Sequence, residues 1–221
     1  MQFCKDDETH SQFVRSLHHE FLRCRDAYAE FVARAPGLLT GQENREQSYA
    51  AYNAYARFVH HLYEFLLGCG SRQRGDTRPL RADEADRLIT THLLRILSSR
   101  RQAVLAGLAP PWGNRLDSCL EIPPADFATE FRRHRNIAQG HVGPARSLLD
   151  LSRFYSLHHP YLAAMLEDAS FAWGGHDRPF PDLGAVTAFF IPDAKAYGAD
   201  DADTINLAPA HEASSVAESI S

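Results

Sequence analysis

Large apolar residues return every three or four positions through successive stretches of this chain, and that period constrains the fold more than any other feature. Phe13, Leu17, Phe21, Cys24, Tyr28, Phe31 and Val32 form one stripe between about Asp7 and Arg34. Tyr49, Tyr52, Tyr55, Val59, Leu62 and Leu66 form a second between about Glu43 and Leu67. Leu88, Ile89, Leu93, Leu94, Ile96, Leu97, Val104 and Leu105 form a third from Ala82 to about Gly107. Such a stripe is one face of an amphipathic helix. Pro36-Gly37 and Gly68-Cys69-Gly70 are expected to end the first two helices. Asp83, Glu84 and Asp86 suit the positive end of the third. After an irregular stretch to Pro123-Pro124, a fourth helix is predicted from about Pro124 to Gly140, and a fifth from Ala145 to Leu157. Pro160 fits the first turn of a sixth, through Ala172.

Helical faces of this kind are buried by packing on one another. The reading is therefore all-α: an up-and-down bundle of about five to six helices over residues 1–175, with an irregular C-terminal extension. Residues 176–197 read as an extended packed arm, in which Val186 to Ile191 suits a short strand. Residues 198–221 are acidic, rich in Ala and Ser and poor in large apolar groups, so disorder is expected there.

Net charge is −5, which alone argues against a nucleic-acid ligand. Residues 193–221 hold six acids and one lysine, however, so that segment accounts for the whole −5 and residues 1–192 are neutral. The bases are 21 Arg against 2 Lys, and guanidinium groups bind phosphate in a bidentate way. No stretch approaches the roughly 20 apolar residues that span a bilayer, and Met-Gln-Phe-Cys-Lys-Asp-Asp-Glu at the start has no apolar signal core. A cytoplasmic chain without membrane contact is expected. Cys4, Cys24, Cys69 and Cys119 show no CxxC spacing and read as reduced packing thiols. With no P-loop, dinucleotide glycine motif or nucleophile elbow, no cofactor is expected.

The fourth helix carries the one conflict between pattern and chemistry. Phe127, Ala128, Phe131 and Ala138 share a face at about 100° per residue, and Arg135 falls on it. A guanidinium aimed at an apolar seam needs a partner or an interface, because a bare buried charge is costly. Glu64 of the second helix is available as that partner. Six positions on, His141 follows Gly140, which can turn the chain and bring the imidazole back toward Arg135. An imidazole and a fixed cation are the minimum for cleaving RNA without metal.

The segment Arg135-Asn136-Ile137-Ala138-Gln139-Gly140-His141 resembles the signature of the HEPN domains, an Arg, four to six residues and a His, with a polar residue after the Arg. The resemblance covers about residues 8–172. It implies a helical bundle acting as a homodimer, with RNA as ligand and metal-independent endoribonuclease activity in toxin–antitoxin, phage-defence or RNA-processing settings. An antitoxin or defence partner protein is also implied. On that pattern Arg135, Asn136 and His141 are the catalytic candidates.

Arg87 to His92, and Arg153 to His158 or His159, show the same spacing and stay open as rivals. Arg132, Arg133, Arg146 and Arg153 make residues 131–153 basic, as phosphate contacts require, and are the RNA-binding candidates. A different chemistry is offered by His60, His61 and Glu64, one turn apart on the second helix, which suit a metal-binding bundle. A non-catalytic interaction protein is the remaining reading. The composition beyond Gly198 yields a prediction of its own. Truncation there should leave the melting temperature unchanged; a clear fall would show that the segment packs.

Overall fold

The computed structural model describes residues 2–39, 44–110, 113, 115–139, 149–175 and 180–190. The fold is an all-α helical bundle with five α-helices among the described residues. They are α1 (Glu8–Leu39), α2 (Arg45–Arg74), α3 (Ala82–Leu105), α4 (Phe127–Gln139) and α5 (Leu151–Trp173). The chain divides into two compact units, Met1–Leu183, which holds the helices, and Gly184–Ser221. In the second, Gly184–Val186 forms a 3-10 turn closed by Thr187 and Ala188 N–H donating to the Gly184 carbonyl. This turn replaces the strand expected from Val186 onward; among the described residues no strand is present. No helix among them is long and apolar enough to cross a membrane.

Helix α2 is the centre of the bundle and packs on all four others, most extensively on α1. Phe58, Val59, Leu62 and Phe65 are sealed from solvent against Phe21, Ile89, Leu93, Phe131, Leu162 and Met165 of the surrounding helices. The middle of each predicted stripe is therefore a core face, whereas Val32, Tyr49, Leu94 and Leu105 of those stripes are exposed.

Three expected helix ends lie inside helices. α1 runs through Pro36 to Leu39. α2 passes Gly68 and Gly70 and ends at Arg74. The reason for those glycines is packing: a Cβ on Gly68 would stand 2.3 Å from a Leu17 methyl, and one on Gly70 would stand 2.2 Å from a Leu88 methyl. They let α1 and α3 approach α2 closely. The actual stop is Gly75, whose φ of +66° is the left-handed C-terminal conformation. The fifth and sixth predicted helices are one, α5, with Pro160 inside it. Pro160 and Ser156 both lie on the exposed side, so the Ser156 carbonyl that loses its helical donor faces water. The start of α5 is fixed by Asp150, whose Oδ1 accepts from the Arg153 N–H at 2.8 Å.

Histidines fill much of this interior. His134 lies flat on Phe154 with ring centroids 4.1 Å apart, and its Nδ1–H donates to the Glu130 carbonyl at 2.8 Å. His158 is enclosed by Phe127 and Phe154, and His159 stacks on Tyr155. Burial is the leading cause that depresses the pKa of His60, His92, His134, His158 and His159. A group with a folded-state pKa below its unfolded value takes up a proton on unfolding, so stability falls as pH drops below the ordinary imidazole range. The melting temperature should therefore be lower at pH 5.5 than at pH 7.5. An equal or higher value at pH 5.5 in thermal scans contradicts this.

Candidate functional site

Helix α4 is amphipathic, with Phe127, Ala128, Phe131, His134 and Ala138 turned into the core. His134 occupies the middle of that face, so Arg135 sits at its edge rather than within it. There the side chain is half-buried and fully engaged on two sides. Its Nη2 forms an ion pair with Glu64 Oε1, the partner the sequence offered, and its Nη1 donates to Asn136 Oδ1 at 2.7 Å. The guanidinium also lies 5.6 Å from the centre of the Tyr63 ring. Its Nε is enclosed without a hydrogen-bond partner.

Arg135 and Asn136 form one wall of an open cleft of about 790 Å³ between α1, α2, the loop from Thr77 to Leu80 and α4. Glu20, Arg23, His60, Glu64, Arg78 and Arg132 also line it. Arg132 is held by a two-pronged contact with Asp86 of α3, Nε to Oδ1 at 2.8 Å and Nη2 to Oδ2 at 3.0 Å. Thr129 Oγ donates to the same carboxylate at 2.9 Å. The Arg132 fork is the main reason the Asp86 carboxyl titrates below its usual range, against a smaller upward push from burial and with help from Thr129. Counting these groups, four guanidinium groups (Arg23, Arg78, Arg132, Arg135) meet three carboxylates (Glu20, Glu64, Asp86), leaving the cleft one charge positive.

The floor is built by α2. His61 is buried and its Nδ1 is 2.7 Å from Glu20 Oε1. Burial pushes the Glu20 carboxyl upward, but the hydrogen bond and charge of His61, with Arg23 and His60, outweigh it and hold the group low. His60 stands beside this pair, its ring edge-on to His61 at 5.1 Å, with Nδ1 enclosed and unpartnered. Burial first, then His61 and Arg135, push its pKa down against the opposing pull of Glu64 and Glu20.

The remaining candidates are dispersed. His141 and Arg146 lie outside the described residues. Arg133 is exposed and paired with Glu130 at 3.1 Å. With Arg153 it borders a separate depression of about 340 Å³ between α4 and α5, away from Arg135. Of the rival spacings, Arg87 pairs with Asp83 at 3.0 Å, while His92 lies 3.8 Å from Asp168. His158 is only 4% exposed, has an enclosed, unpartnered Nδ1 and lines the same depression as Arg153, whereas His159 shares a hydrogen bond with Tyr55 at 3.3 Å among aromatic rings. The metal alternative is not assembled: His61 turns to Glu20 and Glu64 to Arg135. Among the described residues no group of three or more His, Cys, Asp or Glu side chains is placed to hold a metal ion.

Sequence reading did not find His60 as a neighbour of Arg135, nor the Asp86–Arg132 fork. Both depend on which helix faces which, and periodicity reports only a helix's own faces. Comparison of the chain with models of protein families, with curated proteins and with solved structures returns no match.

The fork generates a stability prediction. Asp86→Ala removes the acceptor of Arg132 and Thr129 together and should destabilise the protein by about 1–3 kcal/mol, the scale of hydrogen bonds to a charged group. Urea unfolding that gives an unchanged midpoint would show the fork to be incidental.

Proposed function

We propose that this chain is a HEPN-like RNA-binding protein that cleaves RNA without metal at the Arg135 cleft. The observation that carries the reading is the placement of Arg135. A helix that turns Phe127, Phe131 and a packed His134 inward holds a guanidinium at a cleft wall, next to an amide and among further arginines. Such an arrangement suits an anionic group with two free oxygens, such as a phosphodiester. Arg135 stabilises the charge that builds on the phosphate, Asn136 orients it, and His141 acts as general acid and base. In the reaction the 2′-hydroxyl loses its proton, its oxygen bonds to phosphorus, and the bond from phosphorus to the 5′-oxygen breaks as that oxygen takes a proton. The products are a 2′,3′-cyclic phosphate and a 5′-hydroxyl.

The proposal extends to a cytoplasmic homodimer meeting through α4, in a toxin–antitoxin, phage-defence or RNA-processing setting with a partner protein. One observation favours a second reading, binding without cleavage: Glu64 already neutralises Arg135 and competes with an incoming phosphate.

The test is cleavage of a single-stranded RNA in EDTA. Arg135→Ala should abolish cleavage without unfolding the bundle, and His141→Ala should lose about a hundredfold or more, the scale of a lost general acid or base. His92→Ala, His158→Ala and His159→Ala should cleave at wild-type rates once corrected for folded fraction. RNA retained but left intact selects binding alone. Wild-type cleavage by Arg135→Ala overturns the site.

A further inference from the structure

We propose that His60 binds a phosphate oxygen of the RNA backbone through its Nε2–H, as the third member of a site formed with Arg135 and Asn136. The proposal rests on the reading that the cleft takes RNA. It goes beyond that reading by assigning a residue from α2, outside the Arg–His segment, and by giving it a binding role rather than a proton-transfer role.

The three side chains line the same cleft. On this turn of α2 the two neighbours of His60 are committed elsewhere: His61 to Glu20 on α1, and Glu64 to Arg135 on α4. Those anchors, with the sealed Phe58, Val59 and Leu62, fix the backbone that carries His60. The ring has one nitrogen, Nδ1, that is enclosed and unpartnered, while the residue as a whole is half-buried. Nε2 is thus the nitrogen left to meet a ligand.

The proton's position follows from the same enclosure. Sealed N–H groups without an acceptor are rarer in folded proteins than sealed acceptors without a donor. The neutral ring therefore keeps its lone pair on Nδ1 and its proton on Nε2. The imidazolium form would place an unpaired N–H at Nδ1 and set a second cation beside Arg135. Burial, His61 and Arg135 all act against that form, and only Glu64 and Glu20 act for it. The ring consequently serves as a fixed neutral donor. It is also a poor base, since its one free lone pair is on Nδ1, which is enclosed and has no acceptor for the N–H that protonation would create there. Glu64 gives the site a reason to need such a donor. It neutralises Arg135 in the free protein, so a phosphate gains from a further N–H that carries no competing carboxylate.

The experiment measures the Kd of a fluorescent single-stranded oligoribonucleotide with 2′-O-methyl groups, which cannot be cleaved, in EDTA across a series of salt concentrations. His60→Ala should weaken binding roughly tenfold, the scale of one hydrogen bond to a charged group. His60→Leu, which keeps the volume of the side chain, should show the same loss. His60→Gln places an amide N–H near the position of Nε2 and should stay within about threefold of wild type. Because the donor is neutral, the slope of log Kd against log salt should be unchanged in all three. Arg135→Ala should instead weaken binding and reduce the slope by about 0.7, one phosphate contact on a single strand.

If His60→Ala and His60→Leu bind as wild type while Arg135→Ala is weak, the His60 proposal fails and the cleft reading stands. A His60→Gln variant as weak as His60→Ala, or a reduced slope in His60→Ala, makes His60 a cationic contact and overturns the proposal. Wild-type binding by Arg135→Ala, or no binding by the wild type, removes the RNA reading and this proposal with it.

Discussion

The structure depends on the burial of α2 by four other helices. A helix enclosed on nearly every side offers few places for polar side chains, and each one present must find a partner across a helix interface. α2 carries three such residues on one turn, His60, His61 and Glu64. The first pairing, His61 with Glu20, ties α2 to α1; the second, Glu64 with Arg135, ties it to α4. The two pairings set these helices around the cleft, and Asp86 with Arg132 adds α3. The lining of the cleft is thus a by-product of satisfying polar groups at the edge of the core.

The same enclosure explains how far the fold could be read from sequence. Apolar spacing located the helical segments because the middle of each stripe is a core face. Helix ends were less legible. Gly68 and Gly70 read as a stop because glycine is a common terminator, yet their missing side chains serve the approach of Leu17 and Leu88. The true terminator, Gly75, is distinguished by a backbone angle that composition does not reveal. Pro160 read as a helix start because proline is favoured in the first turn, but on an exposed flank its missing N–H is tolerated.

The site divides along similar lines. Arg135 was legible because a charge near an apolar stripe is a local contradiction, and Glu64 was legible as its acidic complement. The structure moves Arg135 to the edge of that stripe because His134 takes the middle. A buried histidine looks polar in a sequence but packs as an aromatic ring once its Nδ1 donates to a carbonyl four residues back. His60 was read only with its helical neighbours, as a metal ligand. Its relation to Arg135 exists only after α2 and α4 are packed, and no spacing within either helix encodes it. The arginine-rich run from 131 to 153 shows the opposite error. Proximity in sequence suggested one basic surface, whereas Arg132 enters the cleft, and Arg133 and Arg153 border a different depression.

Charge distribution bears on how such a cleft could work in an acidic chain. The deficit of −5 is accounted for by residues 193–221, and the preceding 192 residues are balanced. With no strong net field from residues 1–192, long-range attraction of a polyanion is weak, and the RNA recognition proposed above has to come from short-range contacts. On that proposal the charge pairs of the cleft have a use. Its arginines are held in place beforehand by Asp86 and Glu64, so little side-chain entropy remains to be lost when a ligand arrives. The same carboxylates oppose an anion, which limits affinity to ligands able to displace or share them. A phosphodiester meets that requirement better than a lone halide, because its two free oxygens can take the guanidinium edge and a neighbouring donor together. On the proposed reading, prior neutralisation exchanges raw attraction for selectivity. In the free protein Arg135 meets Glu64 through Nη2 and Asn136 through Nη1, and only its enclosed Nε is unpartnered.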